Sequence, residues 1–164
     1  MEKTSKQNKP SLEIENPADS FFHQPVLSTE VGELLNIKKG EWYLDATVGG
    51  GGHARKIIAK GGHVLGLDWG KEAIKFAAKK LASFSPNGEV CPTPLFSKNS
   101  GERSQKILEK DWLLVQESFA NLAAVVGKFG LKGKLDGILF DLGASFYQLT
   151  TPQRGFSFKS QKLD

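Results

Sequence analysis

Four successive glycines, Gly49 to Gly52, lead into His53 directly behind a short apolar run that ends in Asp45. Glycine allows sharp backbone turns and close ligand approach because it carries no Cβ. Where such a run opens a helix, the free N–H groups of the first turn can hold a carboxylate or phosphate. The run is no Walker loop, since no Gly-Lys-Ser/Thr follows. It does satisfy G-x-G-x-x-A through Gly49, Gly51 and Ala54, which keeps a dinucleotide fold in play. Asp68 closes a second apolar run. A carboxylate there can accept two hydrogen bonds from ribose hydroxyls, each worth roughly 1.5–3 kcal/mol. Enzymes using nicotinamide and enzymes using S-adenosylmethionine both place an acid at this point, so Asp68 does not choose between them.

A third acid, Asp141, ends another apolar run in Asp141-Leu142-Gly143-Ala144-Ser145. The exocyclic amine of a nucleobase is a poor nucleophile, because its lone pair is delocalised into the ring. An acceptor oxygen, from Asp141 or a nearby carbonyl, draws on the N–H and restores lone-pair character, and positioning does most of the remaining work. Phe146 and Tyr147 follow, where an aromatic ring can stack on an extruded base for about 1–3 kcal/mol; packing under the loop is the other reading. His53 is expected to act through its first-turn backbone rather than as a general base. His23, His63 and Cys91 show no metal-ligand spacing, so no metal site is expected.

The elements that must carry these residues are legible from periodicity. Ser28 or Thr29 is expected to cap a helix with Val31, Leu34 and Leu35 inward, stopped by Gly40. Strands are expected at Trp42 to Ala46, His63 to Leu67, Trp112 to Gln116 and Leu135 to Phe140. Helices are expected after the glycine run (Ala54, Ile57 and Ile58 inward), from Lys71 to Phe84, and from Leu122 to Phe129. Ser85 to Lys110, with three prolines and a Ser/Asn/Lys-rich stretch, reads as an exposed irregular insertion with a short helix at Ser104 to Lys110. Met1 to Ser20 reads as a disordered arm, leaving one ordered domain over 21–164. Strands alternating with helices imply βαβ units, a parallel sheet and an α/β fold. Right-handed crossovers bring the strand C-termini to one rim. Asp45, the glycine run, Asp68, the Ser118-Phe119 turn and Asp141 all follow strands and converge there.

The 164 residues suit a single domain. Their 39% hydrophobic and 24% charged content is that of a globular protein. No apolar run is long enough to span a membrane, and the polar first twenty residues resemble neither a signal nor a transit peptide. With one cysteine, Cys91, no intrachain disulfide framework is possible, and a cytoplasmic setting is expected. The 22 basic residues against 18 acids give a net charge of +4, which permits an anionic partner without requiring one.

The motifs in combination resemble a known family. His23-Gln24-Pro25-Val26-Leu27, Glu30-Val31, Asp45-Ala46-Thr47 with Gly49 to His53, and Gly66-Leu67-Asp68 are similar to the bacterial ribosomal RNA small-subunit methyltransferase H family. Asp141-Leu142-Gly143, Ser145, Gln148-Leu149 and Arg154 to Phe158 continue the likeness in the same order. The resemblance implies a Rossmann-like class I methyltransferase sheet and S-adenosylmethionine as methyl donor. It implies as acceptor the N4 amine of a cytosine in small-subunit (16S) rRNA, met free or in the assembled small ribosomal subunit. Carried over by motif, the cofactor contacts are Gly51, Gly52, His53, Asp68, Phe119, Asp141 and Gln148, and the catalytic residues are Asp141 and Ser145. The family is longer, so the resemblance makes this chain an amino-terminal half, truncated after about four strands. Its last strand is then expected to be an open edge, and its activity alone weak or absent.

The sequence departs from the family pattern where Phe146 and Tyr147 follow Ser145, and where Trp69-Gly70 stands behind Asp68 in place of an Arg-Asp pair. Two other readings remain at this stage. A nicotinamide-dependent oxidoreductase would use Gly49, Gly51, Ala54 and Asp68 but leave Asp141-Leu142-Gly143 without a role. A non-catalytic RNA-binding remnant would bind RNA in a salt-sensitive way with no cofactor dependence.

Overall fold

The structure is a computed structural model and describes residues 27–91 and 109–143. In chain order it contains α1 (Ser28–Leu34), β1 (Trp42–Asp45), α2 (Gly52–Ala59), β2 (His63–Asp68), α3 (Lys71–Phe84) and β3 (Gly88–Cys91). These are followed by β4 (Trp112–Gln116), a 3-10 turn (Phe119–Asn121), α4 (Leu122–Lys128) and β5 (Leu135–Leu139). The strands form one sheet in the order β3-β4-β2-β1-β5. Every neighbouring pair is parallel. The expected α/β, Rossmann-like sheet is therefore what forms.

The strands' burial explains their composition. All four residues of β1 are buried, as are the middle four of β2 and the first four of β4. Both faces of the sheet are covered, which turns a strand into a continuous apolar run instead of an alternating one. On one face Tyr43, Val64 and Leu114 meet Ala54 and Ile57 of α2 and Ile74, Ala77 and Leu81 of α3. On the other, Leu44, Leu65, Leu67, Leu113 and Val115 meet Val125 and Val126 of α4. Each fully buried Leu or Val contributes roughly 1.5–3 kcal/mol. A Cβ on Gly66 of β2 would lie 2.6 Å from Leu114 Cδ2 and 3.0 Å from Val48 Cγ2, so only glycine fits there.

The order of the strands sets the site. From β1 the chain crosses through α2 to β2 and through α3 to β3 at the far edge, then steps back to β4 between β3 and β2, all on one side of β1. It later returns to β5 on the opposite side of β1, pairing Asp45 with Leu139. The C-terminal end of β1 is thus the place where strand order reverses, and sheets of this kind bind ligands outside such a point.

Some expectations are corrected. Five strands are seen among the described residues, not four. The extra one, β3, lies inside the segment expected to be an irregular insertion. Its turn-like sequence Pro86-Asn87-Gly88 concealed it, yet Gly88 is a packing residue: a Cβ there would sit 1.8 Å from Trp112 Cε2. Residues 92–108, including most of the short helix expected at 104–110, lie outside the described residues, as does the arm at 1–20. Leu34 is not inward but 86% exposed, while Gly32 is the buried residue of α1. No side chain caps that helix; its N-cap is Leu27 in a left-handed conformation. Among the described residues β5 pairs with β1, and Ile138 and Phe140 are nearly half exposed.

Candidate functional site

At the reversal point the backbone turns away from β1 through Ala46, Thr47 and Val48. The Ala46 N–H donates to Leu139 O at 2.9 Å and the Val48 N–H to Leu67 O at 2.8 Å, so the loop is tied to both neighbouring strands. Gly49 and Gly51 then adopt positive φ, 49° and 77°. Gly51 is the N-cap of α2, and a Cβ on it would lie 3.3 Å from Ala77 Cβ. The glycine run therefore lets α2 begin close above the sheet and pack tightly on α3.

The strand-end acids meet this loop. Asp68 Oδ2 accepts the Gly49 N–H at 2.9 Å, and Oδ1 accepts the Gly70 N–H at 2.7 Å. Two backbone donors hold the carboxylate still, and its remaining lone pairs are available for further donors. His53, in the first turn of α2, is buried, and its Nε2 lies 3.7 Å from Asp141 Oδ2, whose side chain is 44% exposed. The Asp141 N–H donates to Thr47 Oγ1 at 2.8 Å. The glycine loop thus contacts Asp68 on one side of β1 and, through Thr47 and His53, Asp141 on the other.

Asp45 lies beneath them. It is 1% exposed, and its Oδ1 accepts the Thr47 N–H at 3.2 Å. Burial pushes its pKa up to about 7, and the negative charges of Asp141 and Asp68 push in the same direction against the Thr47 hydrogen bond. Burial also lowers the pKa of His53, opposed by Asp141. A neutral imidazole therefore faces Asp141, and the rim carries a field dominated by carboxylates.

Aromatic groups flank the acids. Phe119, in the turn after β4, is 45% exposed and meets Phe140 edge to face at 6.0 Å. Trp69, next to Asp68, is 77% exposed. Among the described residues no cluster of three or more His, Cys, Asp or Glu is placed to hold a metal ion. No helix among them is long and apolar enough to cross a membrane.

The structure brings together Gly51, Gly52, His53, Asp68 and Asp141, with Phe119 on the same edge. Ser145 and Gln148, and with them Phe146 and Tyr147, lie outside the described residues. The His53 expectation is revised in one respect: the ring, not only the backbone, is built into the site. Thr47 was part of the motif Asp45-Ala46-Thr47 but had no role assigned to it; its hydroxyl accepts the Asp141 N–H. Sequence reasoning saw Asp45 as a strand-end acid but not as a buried one with a raised pKa; no sequence signal distinguishes these.

A parallel α/β sheet with a glycine loop joining two strand-end carboxylates defines a Rossmann-like class of α/β protein. The MraW methylase family matches residues 20–91 and 96–164, and the chain belongs to that family. The protein named Ribosomal RNA small subunit methyltransferase H from Carboxydothermus hydrogenoformans is 39% identical over 140 residues, covering 85% of this chain and 37% of the relative. The protein of the same name from Heliobacterium modesticaldum is 39% identical over 142 residues, covering 85% and 38%. The chain thus spans about two fifths of the length of these relatives. A SAM dependent methyltransferase of known structure from Aquifex aeolicus is 18% identical, covers 84% of this chain and 78% of that one, and superposes with a TM-score of only 0.37, a likeness that decides neither fold nor site.

Proposed function

We propose that this chain is the cofactor-binding part of an S-adenosylmethionine-dependent methyltransferase that acts on the N4 amine of a cytosine in small-subunit (16S) rRNA. Membership of the MraW methylase family supports the class. The names of the relatives support an rRNA substrate. The nicotinamide reading finds no support in either. The observation that carries the proposal is the joining of the glycine loop to Asp68 through Gly49 and to Asp141 through Thr47 and His53, across three strand ends.

The residues present fit the cofactor. Asp45, Asp68 and Asp141 lie near enough for the last two to raise the pKa of the first, so the rim has a negative field suited to a cation. Asp68 is oriented to accept ribose hydroxyls. Gly51, Gly52 and His53 supply first-turn amides for a carboxylate. Phe119 offers a ring face or edge to a base, and Gln148 is assigned as a contact from its motif alone. Bound S-adenosylmethionine supplies an electrophilic methyl on a sulfonium. Asp141, fixed by Thr47 and half open to solvent, accepts the N–H of the incoming amine and orients its lone pair, with Ser145 as its neighbour in the same motif. His53, held neutral, can take up the proton that Asp141 receives.

Calorimetric titration of the chain with S-adenosylmethionine and with NAD tests the cofactor assignment; NAD as the tighter ligand would overturn it. Transfer of a radiolabelled methyl group to small ribosomal subunits tests the acceptor. Label in protein but not in rRNA would remove the substrate assignment.

A further inference from the structure

The outward face of α3 breaks the usual rules of helix electrostatics. Lys71 is the first helical residue, directly after the N-cap Gly70, where the positive end of the helix dipole disfavours a cation. Lys75 and Lys79 follow at i+4 and i+8, and all three are exposed. Like charges at this spacing stand one above another and destabilise a helix by roughly 0.2–0.5 kcal/mol per pair. Lys80 adds a fourth lysine, against the single acid Glu72. Cations on α2 and just beyond it, by contrast, are engaged within the fold: Arg55 lies over the Phe84 ring, Lys56 Nζ donates to Ser28 Oγ, and Lys60 Nζ donates to Gly32 O. The Lys38–Glu41 and His53–Asp141 pairs lie elsewhere. Departures from local rules of this kind are expected at functional surfaces.

Position gives that surface its partner. Lys71 is three residues beyond Asp68, so α3 starts at the rim and leads away from it. At about 1.5 Å per residue the stripe runs roughly 12 Å, with a lysine about every 6 Å. A polyanion with regularly spaced charges matches this ladder. A nucleic acid that delivers one base to a site must be held by its backbone on the flanking surface, because phosphate contacts position and carry no sequence information.

From this we infer that Lys71, Lys75 and Lys79 form the docking surface for the phosphate backbone of single-stranded RNA beside the target base. The inference rests on the RNA-acting reading of the site and extends it to a surface. The test is fluorescence anisotropy of a labelled cytidine-containing RNA oligonucleotide with the full chain, from 50 to 200 mM salt. The variant K71A/K75A/K79A should bind about tenfold or more weakly at low salt. Its slope of log affinity against log salt should be lower by about 2, from about 0.7 per lost phosphate contact. It should keep its S-adenosylmethionine affinity by calorimetry and its melting temperature, which shows that it folds. K128A/K132A/K134A removes equal charge from the end of α4 and the turn before β5 and should leave affinity and slope unchanged. Equal loss in both triple variants, or in neither, overturns the surface. So does binding of polyglutamate rather than RNA. Failure to bind S-adenosylmethionine with an intact α3 effect would instead overturn the cofactor assignment and leave the surface standing.

Discussion

Replacing Asp45 by Asn tests the electrostatics of the site without touching its outer groups. Asp45 is 1% exposed, and its pKa rises from 3.8 to about 7, chiefly through burial. A raised carboxyl pKa means that the folded protein holds a proton which the unfolded chain has already lost. The contribution of this group is therefore fully present below pH 3.8 and is lost as pH rises towards 7. At about 1.4 kcal/mol per pH unit the interval amounts to about 4 kcal/mol, an upper figure because buried carboxylates relax and admit water. His53 acts in the opposite sense. Its lowered pKa costs stability in acid and restores it as pH rises towards 6.5. Since both proteins contain His53, the difference between them isolates Asp45. Asn keeps the oxygen that accepts the Thr47 N–H and removes the ionisation, but adds donors that cost about 1–3 kcal/mol if they find no acceptor. Urea denaturation from pH 4 to pH 8 should show D45N more stable than the parent by about 1–3 kcal/mol at pH 8 and equal or less stable at pH 4. Parallel pH profiles for the two proteins would refute the buried, proton-bearing acid.

Asp68→Ala removes the proposed ribose acceptor and frees the Gly49 and Gly70 amides; at roughly 1.5–3 kcal/mol per bond, affinity for S-adenosylmethionine should fall by about 10²–10⁴-fold in calorimetry, and an unchanged affinity would remove Asp68 from the site. Thr47→Val deletes the hydroxyl that accepts the Asp141 N–H; methyl transfer to small ribosomal subunits should slow about three- to tenfold while the melting temperature drops little, the loss of one bond of about 1 kcal/mol. Gly66→Ala forces a methyl to 2.6 Å from Leu114 Cδ2; overpacking of about 1–3 kcal/mol should appear as a lower urea midpoint, and no change would mean that the β2–β4 contact is looser than drawn.

How much was legible differs from element to element. The runs at β1, β2 and β4 were readable because burial on both faces leaves no polar position, and α3 was readable because one face alone is buried. Leu34 was misread because periodicity tells which residues share a face but not which face meets the core. β3 was missed because its glycine is there for a tryptophan from a distant strand, a reason absent from the local sequence.

The order of residue types along the chain was enough to determine the alternation of strands and helices, the glycine loop between β1 and α2, and an acid at the end of each site strand. These follow from local rules: apolar periodicity, the freedom of glycine, and the placing of polar residues where strands end. Which acid is buried, which is held by two backbone amides and which stands open was decided only by tertiary structure. Asp45, Asp68 and Asp141 are the same residue type at the same kind of position. They differ because the sheet places β1 between β2 and β5, so that the loop after β1 covers its own acid while tethering those of its neighbours. Desolvation and shared fields depend on what surrounds a group in space, and the chain supplies that only when it is folded.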